Sequence, residues 1–322
     1  MKAIIHTRYG PPDVLRYGEV DLPTAGGAEV LVRVHAASIT FGDRVWLRGV
    51  PKVARLAIGL RRPKQTVLGR DIAGTVEAVG SGATRFAVGD RVFGELNQRG
   101  FAEYAAAPQN ALARIPDGVT FEQAATLPTS ATTALQTLRL AGVESGQRVL
   151  VNGASGGVGT FAVQLAKTRG AVVTAVCSTR NLDLVRSIGA DHVIDYTRAD
   201  LSEVADRLDA VIDLAGSHSV SAIRRILTPT GVYISSTGTG GPVLGSLPRI
   251  VTTLATSPFV RQRLRVLTAK TNVDDLDELA RLVAAKEITP VIGGTYPLRE
   301  AAEAIRAVES GRAPAKTVLS VP

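Results

Sequence analysis

The sequence predicts an α/β protein: a doubly wound parallel sheet together with a small β-barrel-like domain. Three observations carry this expectation. Residues 29–96 hold short period-two strands divided by glycine-containing turns. Residues 148–236 hold near-continuous apolar strands alternating with short helices, the pattern of a parallel sheet covered on both faces. Between these regions, near residue 121, the hydrophobic period changes from that of a strand to that of a helix. A length of 322 residues exceeds one ordinary core and agrees with two domains.

The early strands are EVLVRVHAAS (29–38), DIAGTVEAVG (71–80) and DRVFGEL (90–96), each alternating apolar and polar residues. Thr120 and Gln123 then stand in capping-box positions, and 120–138 reads as one helix. Strand 148–154 precedes helix 157–169, and strand 171–177 precedes helix 181–189. HVIDY (192–196) is followed by a short helix, DAVIDLA (209–215) by helix 219–227, and GVYISS (231–236) closes the regular series. LRVLTA (264–269) is a candidate sixth strand and 273–285 an amphipathic helix. The tail reads strand, turn, helix and strand up to 321, which breaks the βα rhythm and points back to the first domain. The expected boundaries are 1–121, 122–270 and 271–322.

Hydrophobic residues at 45% and charged residues at 20% describe a soluble globular chain, with no uncharged apolar run of membrane-spanning length. The start, MKAIIHTRYGPP, resembles neither a signal nor a transit peptide, so a cytoplasmic protein is expected. The single cysteine, Cys177, excludes an internal disulfide and a multi-cysteine zinc cage. The net charge of +8 comes with scattered arginines and only 4% aromatics, which argues for a solvated basic surface rather than nucleic-acid binding. Two basic segments, 48–64 and 245–265, could attract anions. Pro248 and Pro258 argue against one continuous membrane-binding helix in the second.

NGASGGVG follows a strand and opens a helix, the context of a phosphate-binding turn. It reads Ala154-x-Gly156-x-x-Gly159, with Ala154 in place of the usual first glycine. Gly156 and Gly157 lack a Cβ and would let a pyrophosphate approach, Gly159 would let the helix pack closely, and the helix N-terminus favours an anion. Two steps on, the second strand ends in CSTRN. An NAD site places an acid there to bond the ribose hydroxyl, and the first acid is Asp183. Ser178, Thr179 and Arg180 suit a 2′-phosphate instead, which predicts NADPH. The competing reading makes Ser178 and Thr179 helix caps and Arg180 a solvated side chain.

With these motifs in place the chain resembles the zinc-less quinone oxidoreductases, the zeta-crystallin-like group of the medium-chain dehydrogenase/reductase superfamily. NGASGGVGTFAVQLAK carries the likeness together with YGPPDVLRYGEVDLP, GRDIAGTVEAVGSG, ARIPDGVTFEQAATLPTSATTAL, SIGADHVIDY and YPLREAAEAIRAVESGRAPAKTVLSV, so it spans essentially the whole chain. The resemblance implies a Rossmann domain inserted in a GroES-like, β-barrel-type catalytic domain, with the active site in the cleft between them. By position it implies that Gly156, Gly157, Val158 and Gly159 cradle the pyrophosphate, with Ala154 and Ser155 also among the cofactor-binding residues. Ser178 and Arg180 would face the 2′-phosphate with Tyr196 nearby, Thr133 would approach the nicotinamide, and Ala215, Gly216 and Ser235 would border the ribose and nicotinamide. It also implies a homodimer, with LRVLTA paired across it.

Zinc dehydrogenases of the superfamily carry a cysteine, a Gly-His-Glu and a four-cysteine lobe. Here the first position falls in ASITFGD, the second reads Gly69-Arg70-Asp71 and the lobe is missing. His6, His35, His192 and His218 are scattered, so no metal is expected. Hydride delivery to a quinone or an α,β-unsaturated carbonyl needs less help than alcohol oxidation does, and that is the expected chemistry. The group's substrate-side Asn-x-x-Asp is replaced by Thr40-Phe41-Gly42-Asp43, and a tyrosine by Val45. Thr40 and Asp43 are the catalytic candidates, with Trp46 and Arg48 on the substrate side. Asp43 reads equally as a strand-end cap or a partner of Arg44, and Trp46 as core. The sequence names no general acid, which leaves the proton to solvent. Two alternatives stay open: an enoyl-thioester or carbonyl reductase on the same fold, and a catalytically weak NADPH-binding protein.

Overall fold

A computed structural model of the chain describes residues 1–201, 207–236 and 241–322. It divides into two compact units, Met1–Thr132 with Thr271–Pro322, and Thr133–Lys270.

The first unit opens with an antiparallel pair, β1 (Lys2–Ile5) and β2 (Arg16–Glu19). β3 (Glu29–Ser38) is the hub of the main sheet: Val30, Val32 and Val34 are fully buried, so its period-two pattern packs one face into the core. Helices α1 (Phe41–Arg48) and α2 (Arg55–Ile58) follow, then β4 (Asp71–Val79), β5 (Arg91–Glu95), β6 (Tyr104–Pro108) and β7 (Leu112–Arg114). α3 (Phe121–Ala125) begins with the expected Thr120–Gln123 capping box. The helix expected over 120–138 is two helices, because α4 (Pro128–Ala141) starts at a proline that lacks the N–H needed to continue α3.

The second unit runs β8 (Arg148–Asn152), α5 (Gly157–Thr168), β9 (Val172–Cys177), α6 (Leu182–Ser187), β10 (His192–Asp195), β11 (Leu208–Asp213), α7 (Val220–Ile226), β12 (Leu227–Ser235), α8 (Leu247–Thr256) and β13 (Arg263–Val266). Its strands lie in the order β10-β9-β8-β11-β12-β13, every pair parallel, so the candidate sixth strand joins the sheet. The strand order reverses between β8 and β11, since β9 and β10 are added on one side of β8 and the later strands on the other, and a ligand crevice opens at such a switch point, at the carboxyl ends of the strands. The short helix expected after 192–196 falls partly on 202–206, outside the described residues. Pro248 sits in the first turn of α8 and Pro258 in the 3₁₀ turn after it, so 245–265 is not one helix.

The tail returns to the first unit: α9 (Val273–Ala284), β14 (Ile292–Pro297), α10 (Ala301–Glu309) and β15 (Lys316–Ser320). β15 pairs antiparallel with β3, and Leu298, Ile305 and Leu319 share one apolar core with Val32, Leu47 and Phe101. Among the described residues no helix is long and apolar enough to cross a membrane.

Candidate active site and cofactor loop

The loop after β8 is shaped by glycines. Gly153 adopts φ +86 and makes the turn, although the Ala154-x-Gly156-x-x-Gly159 reading left it out of the motif. Its N–H and that of Ala154 both bond Val176 O of β9, at 3.2 and 3.1 Å, which ties the loop to the neighbouring strand. Gly156 is the exposed N-cap of α5 and makes no side-chain cap bond, with Gly157 and Val158 in the first turn. A Cβ on Gly156 would meet only Gly153 O, at 3.4 Å, whereas one on Gly159 would fall 2.2 Å from that oxygen. Gly159 thus permits the close packing of helix on loop. The open face at Gly156 leaves room for an anion at the helix N-terminus.

Asn181 is nearly buried and donates to Ser155 Oγ at 2.9 Å and to Ser178 Oγ at 3.4 Å, bracing the loop against the end of β9. Ser178 occupies the N-cap of a 3₁₀ turn, yet its side chain makes no cap bond. Thr179 donates instead to Asp195 Oδ2 at 2.5 Å, at the end of β10. The sequence reading overlooked Asp195. Its Oδ1 accepts from the N–H and hydroxyl of Thr197, and these hydrogen bonds hold its carboxyl below the ordinary range. Arg180 and Tyr196 are exposed on the same edge. Cys177 is buried, and burial pushes its thiol up to about 11, which removes it as a nucleophile at neutral pH.

On the other side of the crevice lies a polar network that sequence reading missed. Asp213, fully buried at the end of β11, accepts from Asn152 Nδ2 and Gly216 N on one oxygen, each at 2.8 Å. Its other oxygen accepts from Tyr233 OH at 3.0 Å and Arg249 Nη1 at 2.8 Å. Gly216 has φ +69, and Ala215 lies 3.5 Å from where a Cβ on Gly153 would stand. Ser235, buried at the end of β12, sits opposite Asp213 in register. Residues 152–159, 178–181, 213–216 and 235 therefore gather at one end of the sheet. Thr133 is nearly buried on α4.

The substrate-side candidates gather on α1. Thr40 is its N-cap: Thr40 Oγ1 accepts from Asp43 N, while Asp43 Oδ2 accepts from Thr40 N and Oγ1, both at 2.7 Å. Asp43 is thus a helix-capping residue rather than a strand-end cap, and Arg44 pairs with Glu309 at 3.5 Å rather than with Asp43. Arg48 makes a bidentate pair with the same Glu309, with both distances 2.5 Å, which locks α1 to α10. Trp46 packs half-buried against the core.

Burial of Asp43 pushes its carboxyl up to about 6; the Thr40 bonds and the Arg70 charge act downward, and the Asp71 charge acts upward. A folded-state value above the unfolded one means that the native state holds the proton more tightly. Asp43's contribution to stability is therefore complete below the ordinary 3.8 and is lost as pH rises to about 6. Asp43→Asn, measured by urea unfolding across that window, is expected to gain on the wild type by on the order of 1.4 kcal/mol per pH unit. Parallel curves would show that Asp43 ionises normally. Among the described residues no three His, Cys, Asp or Glu side chains form a group that could hold a metal ion.

Dinucleotide-dependent oxidoreductases join a parallel sheet of this order to a second unit, and this protein is of that class. Residues 26–117 match the alcohol dehydrogenase GroES-like domain, and 188–319 the zinc-binding dehydrogenase family. The chain is 33% identical to the mitochondrial NAD(P)H oxidoreductase RTN4IP1 of Mus musculus, covering 100% of this chain and 89% of that one. It is 30% identical to the chloroplastic NADPH-dependent alkenal/one oxidoreductase of Arabidopsis thaliana, over 99% of this chain and 79% of the other. The quinone oxidoreductase structure from Coxiella burnetii superposes with a TM-score of 0.88 at 32% identity, covering 100% and 99% of the two chains. The chain belongs to the quinone oxidoreductase group of the medium-chain dehydrogenase/reductase superfamily, and it is an oxidoreductase that works with a nicotinamide cofactor.

Proposed function

We propose that the protein is an NADPH-dependent, metal-independent reductase of quinones or α,β-unsaturated carbonyls. The observation that carries this reading is the substitution at the metal-ligand position: Gly69-Arg70-Asp71 stands there, with Arg70 ion-paired to Glu95. A guanidinium cannot ligate zinc, so an acceptor that is already electrophilic suits the site better than an alcohol. When bound, NADPH supplies a hydride. The chain's own residues do the rest: Gly156, Gly157, Val158 and Gly159 receive the pyrophosphate, Ala154 ties the loop to β9 and Ser155 ties it to Asn181, and Ala215, Gly216, Ser235 and Thr133 border the nicotinamide half. Ser178 and Arg180 take the 2′-phosphate with Tyr196 beside them. Asp195, the acid on that edge, has both oxygens bonded by Thr179 and Thr197, which leaves it poorly placed to bind a ribose hydroxyl.

The test follows oxidation of NADPH and NADH with a panel of quinones, enones and enoyl thioesters. NADPH is expected to be preferred with the quinones and enones. Arg180→Ala is expected to raise KM for NADPH by about tenfold, the loss of one charge-assisted contact, and to leave KM for NADH unchanged. A preference for NADH, or equal changes in the two KM values, would remove the 2′-phosphate reading. Silence on the whole panel would favour a catalytically weak NADPH-binding protein, and turnover of thioesters alone would favour the enoyl-thioester reductase.

A further inference from the structure

The segment that joins α1 to β4 in the first unit carries one sign of charge. From residue 44 to residue 70 the chain holds eight Lys and Arg and no Asp or Glu. Arg44 and Arg48 pair with Glu309, and Arg70 pairs with Glu95. Arg55 lies over the Tyr9 ring, 4.5 Å from its centroid, and donates to Gly49 O at 2.9 Å. Lys52, Arg61, Arg62 and Lys64 are exposed and enter no ion pair among the described residues. The acids on the elements around the segment are matched elsewhere. Glu309 faces the two arginines of α1, Glu95 also accepts from Thr271, and Asp13 bonds Arg306. Asp43 and Asp71 are fully buried, Asp71 against Lys316. None of these carboxylates neutralises the four exposed cations.

The same segment holds apolar side chains out in solvent. Leu56 is 75% exposed and Leu60 66%, with Ala57 exposed between them, whereas Ile58 and Pro63 are buried. The backbone that presents the leucines is fixed. Gly59 has φ +126, and a Cβ there would stand 2.0 Å from Arg62 O, so glycine is what lets the chain double back. Tyr9 OH donates to Gly59 O, and Lys64 N donates to Ile58 O at 2.8 Å. An ordered turn that leaves two leucines in water forgoes the burial that offsets the entropy of fixing it, and such a patch marks a contact surface.

We propose that residues 50–64 are a docking surface for an anionic lipid bilayer, with Leu56 and Leu60 entering the acyl boundary and Lys52, Arg61, Arg62 and Lys64 lying at the headgroups. The leucines need hydrocarbon and the cations need anionic oxygens, and a bilayer interface supplies both within about 5–10 Å of depth. A soluble polyphosphate would satisfy the cations and leave the leucines in water. A second copy of this surface would set like charges against each other. Single-stranded nucleic acid is held by aromatic platforms, and residues 50–64 contain no Phe, Tyr or Trp. Two leucines and four cations make a reversible, salt-sensitive attachment. This surface goes beyond the reductase reading and does not depend on it.

The experiment is sedimentation of the full chain with vesicles of phosphatidylcholine, with and without phosphatidylserine, at low and at physiological salt. Wild type is expected to sediment with the phosphatidylserine vesicles only, and less so as salt rises. Arg61→Gln/Arg62→Gln is expected to weaken the partitioning by about fivefold for each cation removed. Leu56→Gln/Leu60→Gln keeps the charge and is expected to weaken it by about tenfold. All four side chains are exposed, so both variants should melt as the wild type does. The second unit also exposes apolar side chains, Val251 and Leu254 on α8, and Val251→Gln/Leu254→Gln is expected to bind normally. Wild type that ignores phosphatidylserine overturns the assignment. Undiminished binding by the leucine variant reduces the segment to a general anion site, and undiminished binding by the arginine variant removes the headgroup contact; either overturns it. Loss of binding in the α8 variant alone moves the docking surface to the second unit and overturns it as well.

Discussion

Replacing Arg249 with methionine is expected to destabilise the second unit by about 3 kcal/mol, because it leaves the buried Asp213 carboxylate without its cation. Asp213 is 0% exposed, and its partner's side chain only 17%. Three donors would remain, Asn152 Nδ2, Gly216 N and Tyr233 OH, and these place the cost at the lower end of what breaking a buried pair entails. The loss would also free α8, since Arg249 additionally donates to Gly216 O and to Tyr233 OH. Urea unfolding followed by circular dichroism measures it. The double variant Asp213→Asn/Arg249→Met buries no charge and is expected to recover part of the loss, a coupling that separates the ion pair from simple loss of packing. A single variant within about 0.5 kcal/mol of wild type would mean that the pair does not hold this end of the sheet together.

Gly159→Ala is the second large effect. The new Cβ would stand 2.2 Å from Gly153 O and 2.7 Å from the Cα and C of Ala154, all backbone atoms that no rotamer change can move. α5 must shift away from the loop, at a cost of about 1–3 kcal/mol. The same shift displaces the N–H groups that would meet the pyrophosphate. Cofactor affinity is therefore expected to fall by about tenfold for each 1.4 kcal/mol of binding energy lost, as read by reduced-nicotinamide fluorescence. Gly156→Ala is the control, because its Cβ meets only Gly153 O at 3.4 Å and leaves the fold unstrained. A loss of affinity there at unchanged melting temperature reports close approach of the ligand. Wild-type affinity in both variants would take the loop out of the site.

Much of the architecture was readable along the chain. β3 occupies 29–38 as expected, because one strand face is buried and a period of two is a local record of that burial. The same holds for β9, α5 and α9, whose ends fall within a few residues of the expected ones. The break at Pro128 was also written in the sequence, but the helical period on either side masked it. Gly153 was visible too. The familiar motif drew the count to Ala154, while the residue taking positive φ stood one place earlier.

The candidate site divides along a different line. Glycines that must pass close to a helix or strand leave a mark at short range, so the tight turn between β8 and α5 could be named from eight consecutive residues. Charge pairing leaves no such mark. Asp213 meets Tyr233 20 positions away and Arg249 36 away, while Arg48 meets Glu309 across 261. Nothing in the local pattern distinguishes those partners from the chain's other arginines and acids. Asp43 shows the same contrast: its place in the motif made it a candidate, and only the fold shows that it caps α1 with one oxygen left unpartnered. Periodicity and steric need are short-range properties, and the amino-acid order carries them. Which buried charge finds which partner depends on strand order and on where the tail returns, and folding alone brings those residues together.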